Sequence, residues 1–159
     1  MSNSATISDF VSHLTERAAI LGDFNLVHYG YGQDINAIPD LQYPVLFMLP
    51  GSPDMTIPQE GIVKGVPYTN YTMKFLAWDM YDSAEQKATA LEDKYVELQI
   101  KAMRLLTDTF SLISDNVDFR FKLLPTAQAA VMQSKAKHND ELAEVQITLT
   151  GIRLFLGEV

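Results

Sequence analysis

Asp79 and Asp82 fall in the stretch FLAWDMYDSAEQ, Phe75 to Gln86, where an apolar run stops and a helical pattern starts. Carboxylates at a strand end can hold a hard cation or act as a general acid and base. A cation needs several converging oxygens, however, and no matched second acidic cluster falls in a loop placed to meet these two. The three histidines, His13, His28 and His138, are scattered along the chain, and none belongs to the H-x-x-x-H pair of a zinc helix. No G-x-S-x-G elbow, phosphate-binding loop or HExxH segment occurs. The absence of cysteine removes thiol nucleophiles, disulfides and cysteine-ligated zinc. Gly30-Tyr31-Gly32 lacks the third glycine and the following helix of a dinucleotide loop and reads as a turn. Asp82 with Glu85, or Ser83 with Gln86, has the spacing of a helix capping box, so the two aspartates are read as structural. The expectation is a protein without catalytic residues, metal or cofactor.

The elements that would position any site follow from periodicity. The chain has 159 residues, one domain by length, with 47% apolar and 20% charged residues, which is ordinary globular composition. Its formal net charge of -8 disfavours a nucleic-acid surface. The start MSNSATISDF has no signal-peptide pattern, and no apolar run nears the roughly 20 residues of a membrane span. A soluble protein made inside the cell is expected. Ile7, Phe10, Val11, Leu14, Ala18 and Leu21 predict a helix over 6–21, with Thr6 and Asp9 as its capping box and Gly22 as its end. His13 lies on the polar side of that helix. A short strand is expected at Phe24–Tyr29. YPVLFML, Tyr43 to Leu49, is apolar on both parities and predicts a strand at the sheet centre with Pro44 at its entry.

Pro50 to Pro67 is rich in proline and glycine and predicts a long loop, either a plain surface loop or a hairpin that packs on another chain. Its Ile57, Ile62, Val63 and Val66 are too apolar for a mere spacer. Tyr71, Met73, Phe75 and Ala77 alternate as a strand. A helix over 82–114 follows, with one stripe along Leu91, Tyr95, Leu98, Ala102, Leu105 and Leu112. A second row, Val96, Ile100, Met103, Leu106, Phe110 and Ile113, requires a second cover, from the first helix or a neighbouring subunit. In VDFRFKLL, Val117, Phe119, Phe121 and Leu123 are expected to face the core. Ala127 to Lys137 fits either a strand or a helix and is read as a strand because the turn at His138–Asp140 leads the chain back. Val145, Ile147 and Leu149 continue the core face. Ile152, Leu154 and Leu156 continue it one residue out of phase, which calls for a bulge at Gly151. The fold class is α+β: a curled, mainly antiparallel sheet of about five strands, flanked by an N-terminal helix and one long central helix.

This order of elements resembles the neck and tail-completion proteins of tailed bacteriophages, the tail-terminator group in particular. The resemblance rests on QYPVLFMLP, Gln42 to Pro50, on YTMKFLAWDM followed by the long helix, and on the closing GIRLFLGEV. It implies a structural virion protein, not an enzyme, whose copies join head to tail in a ring and bind connector or tail-tube subunits. Candidate subunit contacts are Ile57, Ile62, Val63 and Val66 of the loop and Val96, Ile100, Met103 and Phe110 of the helix. Two alternatives have different requirements. A small hydrolase or nucleotide-binding enzyme needs Asp79, Asp82, Asp34 and His28 in one pocket. A monomeric ligand-binding domain needs Tyr29, Tyr31, Tyr43 and Trp78 around one cavity.

Overall fold

The computed structural model describes residues 7–31, 41–53, 68–81, 89–114, 120–135 and 142–155. In chain order these form α1 (Ile7–Leu21), β1 (Leu26–Tyr29), β2 (Val45–Pro53), β3 (Tyr68–Met80), α2 (Ala90–Ser114), β4 (Phe121–Lys135) and β5 (Leu142–Phe155). The strands make one five-stranded mixed sheet in the order β1-β2-β3-β5-β4, and the fold is α+β. β1 runs parallel to β2, while the other three pairings are antiparallel.

Both helices lie on one side of the sheet. The α1 stripe buries Phe10, Leu14 and Ala18, and the helix stops where the Gly22 amide donates back to the Ala18 carbonyl at 2.9 Å, with φ +75°. Thr6, half of the expected capping box, lies outside the described residues. α2 buries Leu98, Ala102 and Leu105 against Met73, Phe75, Val145 and Ile147 of the sheet. Each such large side chain contributes roughly 1.5–3 kcal/mol on burial. Arg17 on α1 forms a two-pronged ion pair with Asp108 on α2, at 2.5 and 3.2 Å. Asp23, just past α1, likewise holds Arg104.

β2 meets the expectation of a central strand. Val45 and Phe47 are buried on the side away from the helices with Trp78 and Leu142, and Leu46 and Met48 on the helix side. Pro44 precedes the strand, as a residue without an amide donor must in a central ladder. β2 continues through Pro53, however, into the segment expected as loop. The ladder tolerates Pro50 because the register with β3 shifts between Leu49 and Ser52. Gly51 is needed there: a Cβ would lie 2.2 Å from the Tyr71 hydroxyl oxygen. The rest of that loop, with Ile57, Ile62, Val63 and Val66, lies outside the described residues.

The bulge expected at Gly151 is present. Its φ is +83°, and the register between β3 and β5 shifts between Tyr71 and Met73, opposite Thr150 and Gly151. β4 shifts at the same place, since the residues between Leu123 and Gln128 have only Gly151 across from them. Val145, Ile147, Leu149 and Ile152 accordingly all reach the core. The two segments read separately as VDFRFKLL and Ala127–Lys137 join in one bent strand, β4. Phe121 is buried, but Leu123 is 44% exposed, contrary to expectation, because β4 is the outermost strand and Leu123 lines an open groove beside α2. Val117, Phe119, Leu156 and the turn at His138 lie outside the described residues.

α2 is described from Ala90. Its first turn is closed by Thr89, whose carbonyl accepts from the Asp93 amide at 2.8 Å and whose hydroxyl meets the Asp93 carboxylate at 3.2 Å. The cap expected at Asp82 or Ser83 lies outside the described residues. Leu112, placed on the inner stripe, is 42% exposed, whereas Leu106, Phe110 and Ile113 of the second row are 2%, 6% and 2% exposed, so that part of the row is covered within the chain and Phe110 is not a surface contact. Phe110 turns inward because α1 crosses beside it: the Phe10 and Phe110 rings sit 5.3 Å apart, tilted at 48°.

Candidate functional site

Asp79 is at the end of β3 and is nearly buried, at 9% exposure. One carboxylate oxygen accepts from the Lys94 ammonium of α2 at 3.0 Å, and the other from the Met80 amide at 2.9 Å. Lys94 also meets Glu97 at 3.1 Å, and Glu97 meets Lys101 at 2.8 Å. Burial pulls the Lys94 ammonium down, but the carboxylates of Asp79 and Glu97 together outweigh it and hold it above the usual lysine value. Glu97 is held below the usual carboxylate range, first by its hydrogen bond to Lys101. Each charge has an opposite charge beside it, and the chain fastens the start of α2 to β3. This is a structural use of Asp79, consistent with its reading from the sequence.

Asp79→Ala is expected to cost about 1–3 kcal/mol, since it strips a partner from the part-buried Lys94. The sign of its pH dependence follows from the raised lysine. A group whose folded pKa is raised contributes fully below its unfolded pKa and loses that contribution as pH rises through the folded one. The melting-temperature gap between wild type and variant should therefore hold from neutral pH to the lysine range and close beyond it. Melts that coincide at neutral pH contradict the pairing.

Of the enzyme constellation, the two described members, Asp79 and His28, lie on opposite faces of the sheet. Asp79 faces the helices, as its bond to Lys94 requires. His28 instead lies against Phe47 on the opposite face of the sheet, with ring centroids 5.9 Å apart. Asp34 and Asp82 lie outside the described residues. His13 on α1 is half-buried, less solvated than its place on the helix's polar side suggests. Among the described residues no group of three His, Asp or Glu side chains could hold a metal ion, and no helix is long and apolar enough to cross a membrane.

The four aromatic residues proposed for a ligand cavity are also divided by the sheet. Trp78 is buried edge-on against Phe47 at 4.9 Å, its Nε1 donating to Glu144 at 2.9 Å, and Tyr43 packs on the same rear cluster. Burial raises the Tyr43 phenol pKa. Tyr29 lies on the helix side, beside a hollow of about 790 Å³ lined by Ile7, Val11, Thr15 and Glu16 of α1. It is also close enough to Tyr71 to add to the rise that burial imposes on that phenol.

Exposed apolar side chains occur on both helices, with Ile20 on α1 and Leu112 on α2, at Met80 where β3 ends, and at both edges of the sheet. On α2, Val96 and Ile100 are 54% and 60% exposed, and Met103 is half-buried. Beside them a groove of about 380 Å³ is lined by Met103, Leu106, Phe110, Leu123 and Leu149. Met132 on β4 is 65% exposed. At the β1 end, Tyr29 and Tyr31 are 39% and 52% exposed next to the larger hollow. Of the helix residues taken as subunit contacts, Val96 and Ile100 are on the surface and Met103 lines the groove wall. Phe110 is spent mostly on the core. Leu123 and Met132 are exposed as well, within the uncharged run from Leu123 to Ser134. The chain matches no protein-family model and no curated protein.

Proposed function

We propose that this chain is a structural assembly protein whose copies join head to tail in a closed ring, at the neck or tail end of a bacteriophage particle, where it bridges connector and tail-tube subunits. The observation that carries the reading is the distribution of exposed apolar side chains. Tyr29 and Tyr31 lie by β1 and Leu123 and Met132 on β4, at the two opposite edges of one sheet, while Val96 and Ile100 are exposed on α2. A head-to-tail contact needs two different patches on each copy, facing away from one another, and closes into a ring when the rotation between copies allows. Four strand spacings separate β1 from β4, about 19 Å, enough to keep the patches distinct. The net charge of -8 supports protein partners over nucleic acid. The resemblance of the element order to tail-terminator proteins supplies the place in the virion.

The reading is tested by sedimentation of the purified protein, alone and mixed with tail-tube protein. Particles of several copies are expected, and the double substitution Val96→Glu with Ile100→Glu should reduce them to monomers without lowering the melting temperature, because both side chains are already solvated. A wild-type protein that stays monomeric in both conditions rejects the reading. Replacing Met55–Lys64 by a short Gly/Ser turn asks the same of the loop; a folded protein that no longer completes infectious particles is expected, since shortening a loop changes closure entropy by only about 0.6 kcal/mol per halving.

A further inference from the structure

β4 has properties that the assembly reading leaves unused. It is the outer strand of the sheet and fifteen residues long. From Gln128 to Lys135 it keeps an unbroken register with β5, so its far side presents a regular row of backbone donors and acceptors. Every side chain from Gln128 to Ser134 except Val131 is exposed. Proteins normally guard such an edge with charges, proline or a bulge. Here Pro125 and the bulge lie in the first half of the strand, and no charged residue occurs between Lys122 and Lys135. The unguarded half is therefore straight, uncharged and open to another strand among the described residues.

Strand direction points to the occupant. β1 is parallel to β2, and three antiparallel steps then lead through β3 and β5 to β4, so β4 runs opposite to β1. Copies repeated around an axis along the strands would bring β4 of one against β1 of the next in antiparallel sense. The charges suit this pairing. Phe121–Lys135 carries only the two lysines, whereas the hollow beside β1 has Glu16 as its charged lining residue. Pairing β4 with another β4 would instead set two lysine-bearing strands together. On the helix side β4 presents Ala127, Ala129 and Val131, small enough for the neighbour's Tyr29 and α1 to lie across them.

We propose that the outer edge of β4 pairs antiparallel with β1 of the next copy, merging the sheets of neighbouring subunits into one. This rests on the head-to-tail reading above and specifies its contact. The cysteine-free chain allows a clean test. Tyr29→Cys protein is mixed in turn with Ala129→Cys, Val131→Cys or Gln133→Cys protein and oxidised, and assembly is followed separately by light scattering. One register should yield a covalent heterodimer, and the matching double variant a covalent ladder. Self-linking of a β4 variant alone at the same yield overturns the proposal in favour of a β4–β4 contact. Ring-sized particles without any cross-link overturn the strand pairing and leave the assembly standing; monomers at every concentration without a cross-link overturn both. Ala130→Lys with Met132→Lys, at exposed positions, should abolish the multimer while the melting temperature is unchanged, and normal assembly of that variant counts against the pairing.

Discussion

Gly151→Val is expected to destabilise the protein by about 2–5 kcal/mol, combining roughly 1–2 kcal/mol for a side chain at positive φ with about 1–3 kcal/mol of overpacking. At roughly 2–4 °C per kcal/mol for a chain of this size, the melting temperature should fall by about 10 °C. The reason is local and geometric. Gly151 has φ +83°, and a Cβ there would stand 2.5 Å from the Ala127 Cα, a backbone atom that cannot swing aside. β4 and β5 both shift register at this point, so relieving the clash would mean re-pairing one of them. Gly151→Ala should show much of the same loss, because the first carbon makes the clash. Adding Ala127→Gly should not rescue it, since the closest atom is Cα and not Cβ. Thermal unfolding followed by circular dichroism checks all three variants; a Gly151→Val protein melting within a degree or two of wild type would place the bulge elsewhere.

Phe10→Ala should cost about 3–5 kcal/mol, the usual range for removing a buried phenylalanine. Phe10 is fully buried and joins three elements: its own helix, α2 through Phe110 at 5.3 Å and β4 through Phe121 at 6.2 Å. Phe121 in turn packs edge-on against Tyr71 at 5.2 Å. Removing the Phe10 ring leaves a cavity between α1 and α2 and deprives two further rings of a partner. The urea midpoint should drop while the slope of the transition stays the same, as expected when stability changes without a change in exposed surface. Phe10→Leu should recover most of the loss. A Phe10→Ala protein less than about 1 kcal/mol weaker would mean that α1 is not held by this cluster and that its ion pairs to α2 suffice.

The sequence by itself determined the elements whose signal is local. Alternation through Tyr71–Ala77 and Val145–Leu149, the double-faced run before Leu49, the two amphipathic helices and the out-of-phase step at Gly151 each lie within a few residues, and each reappears in the structure. Asp79 as a structural carboxylate was legible too, though the partner that makes it so, Lys94, was not, because the contact joins β3 to a helix fifteen residues further on. The tertiary structure decided what depends on neighbours distant in the chain. β5 inserts between β3 and β4, which makes β4 an edge and leaves Leu123 and Met132 on the surface despite their apolar character. The placement of β1 put His28 and Asp79 on opposite faces and split Tyr29 from Tyr43 and Trp78. α1, crossing beside α2, turned Phe110 inward and left Val96 and Ile100 outside. Periodicity states which residues share a face of one element, but burial of that face is a property of whatever packs against it, and strand order and helix crossing are set by the whole core together.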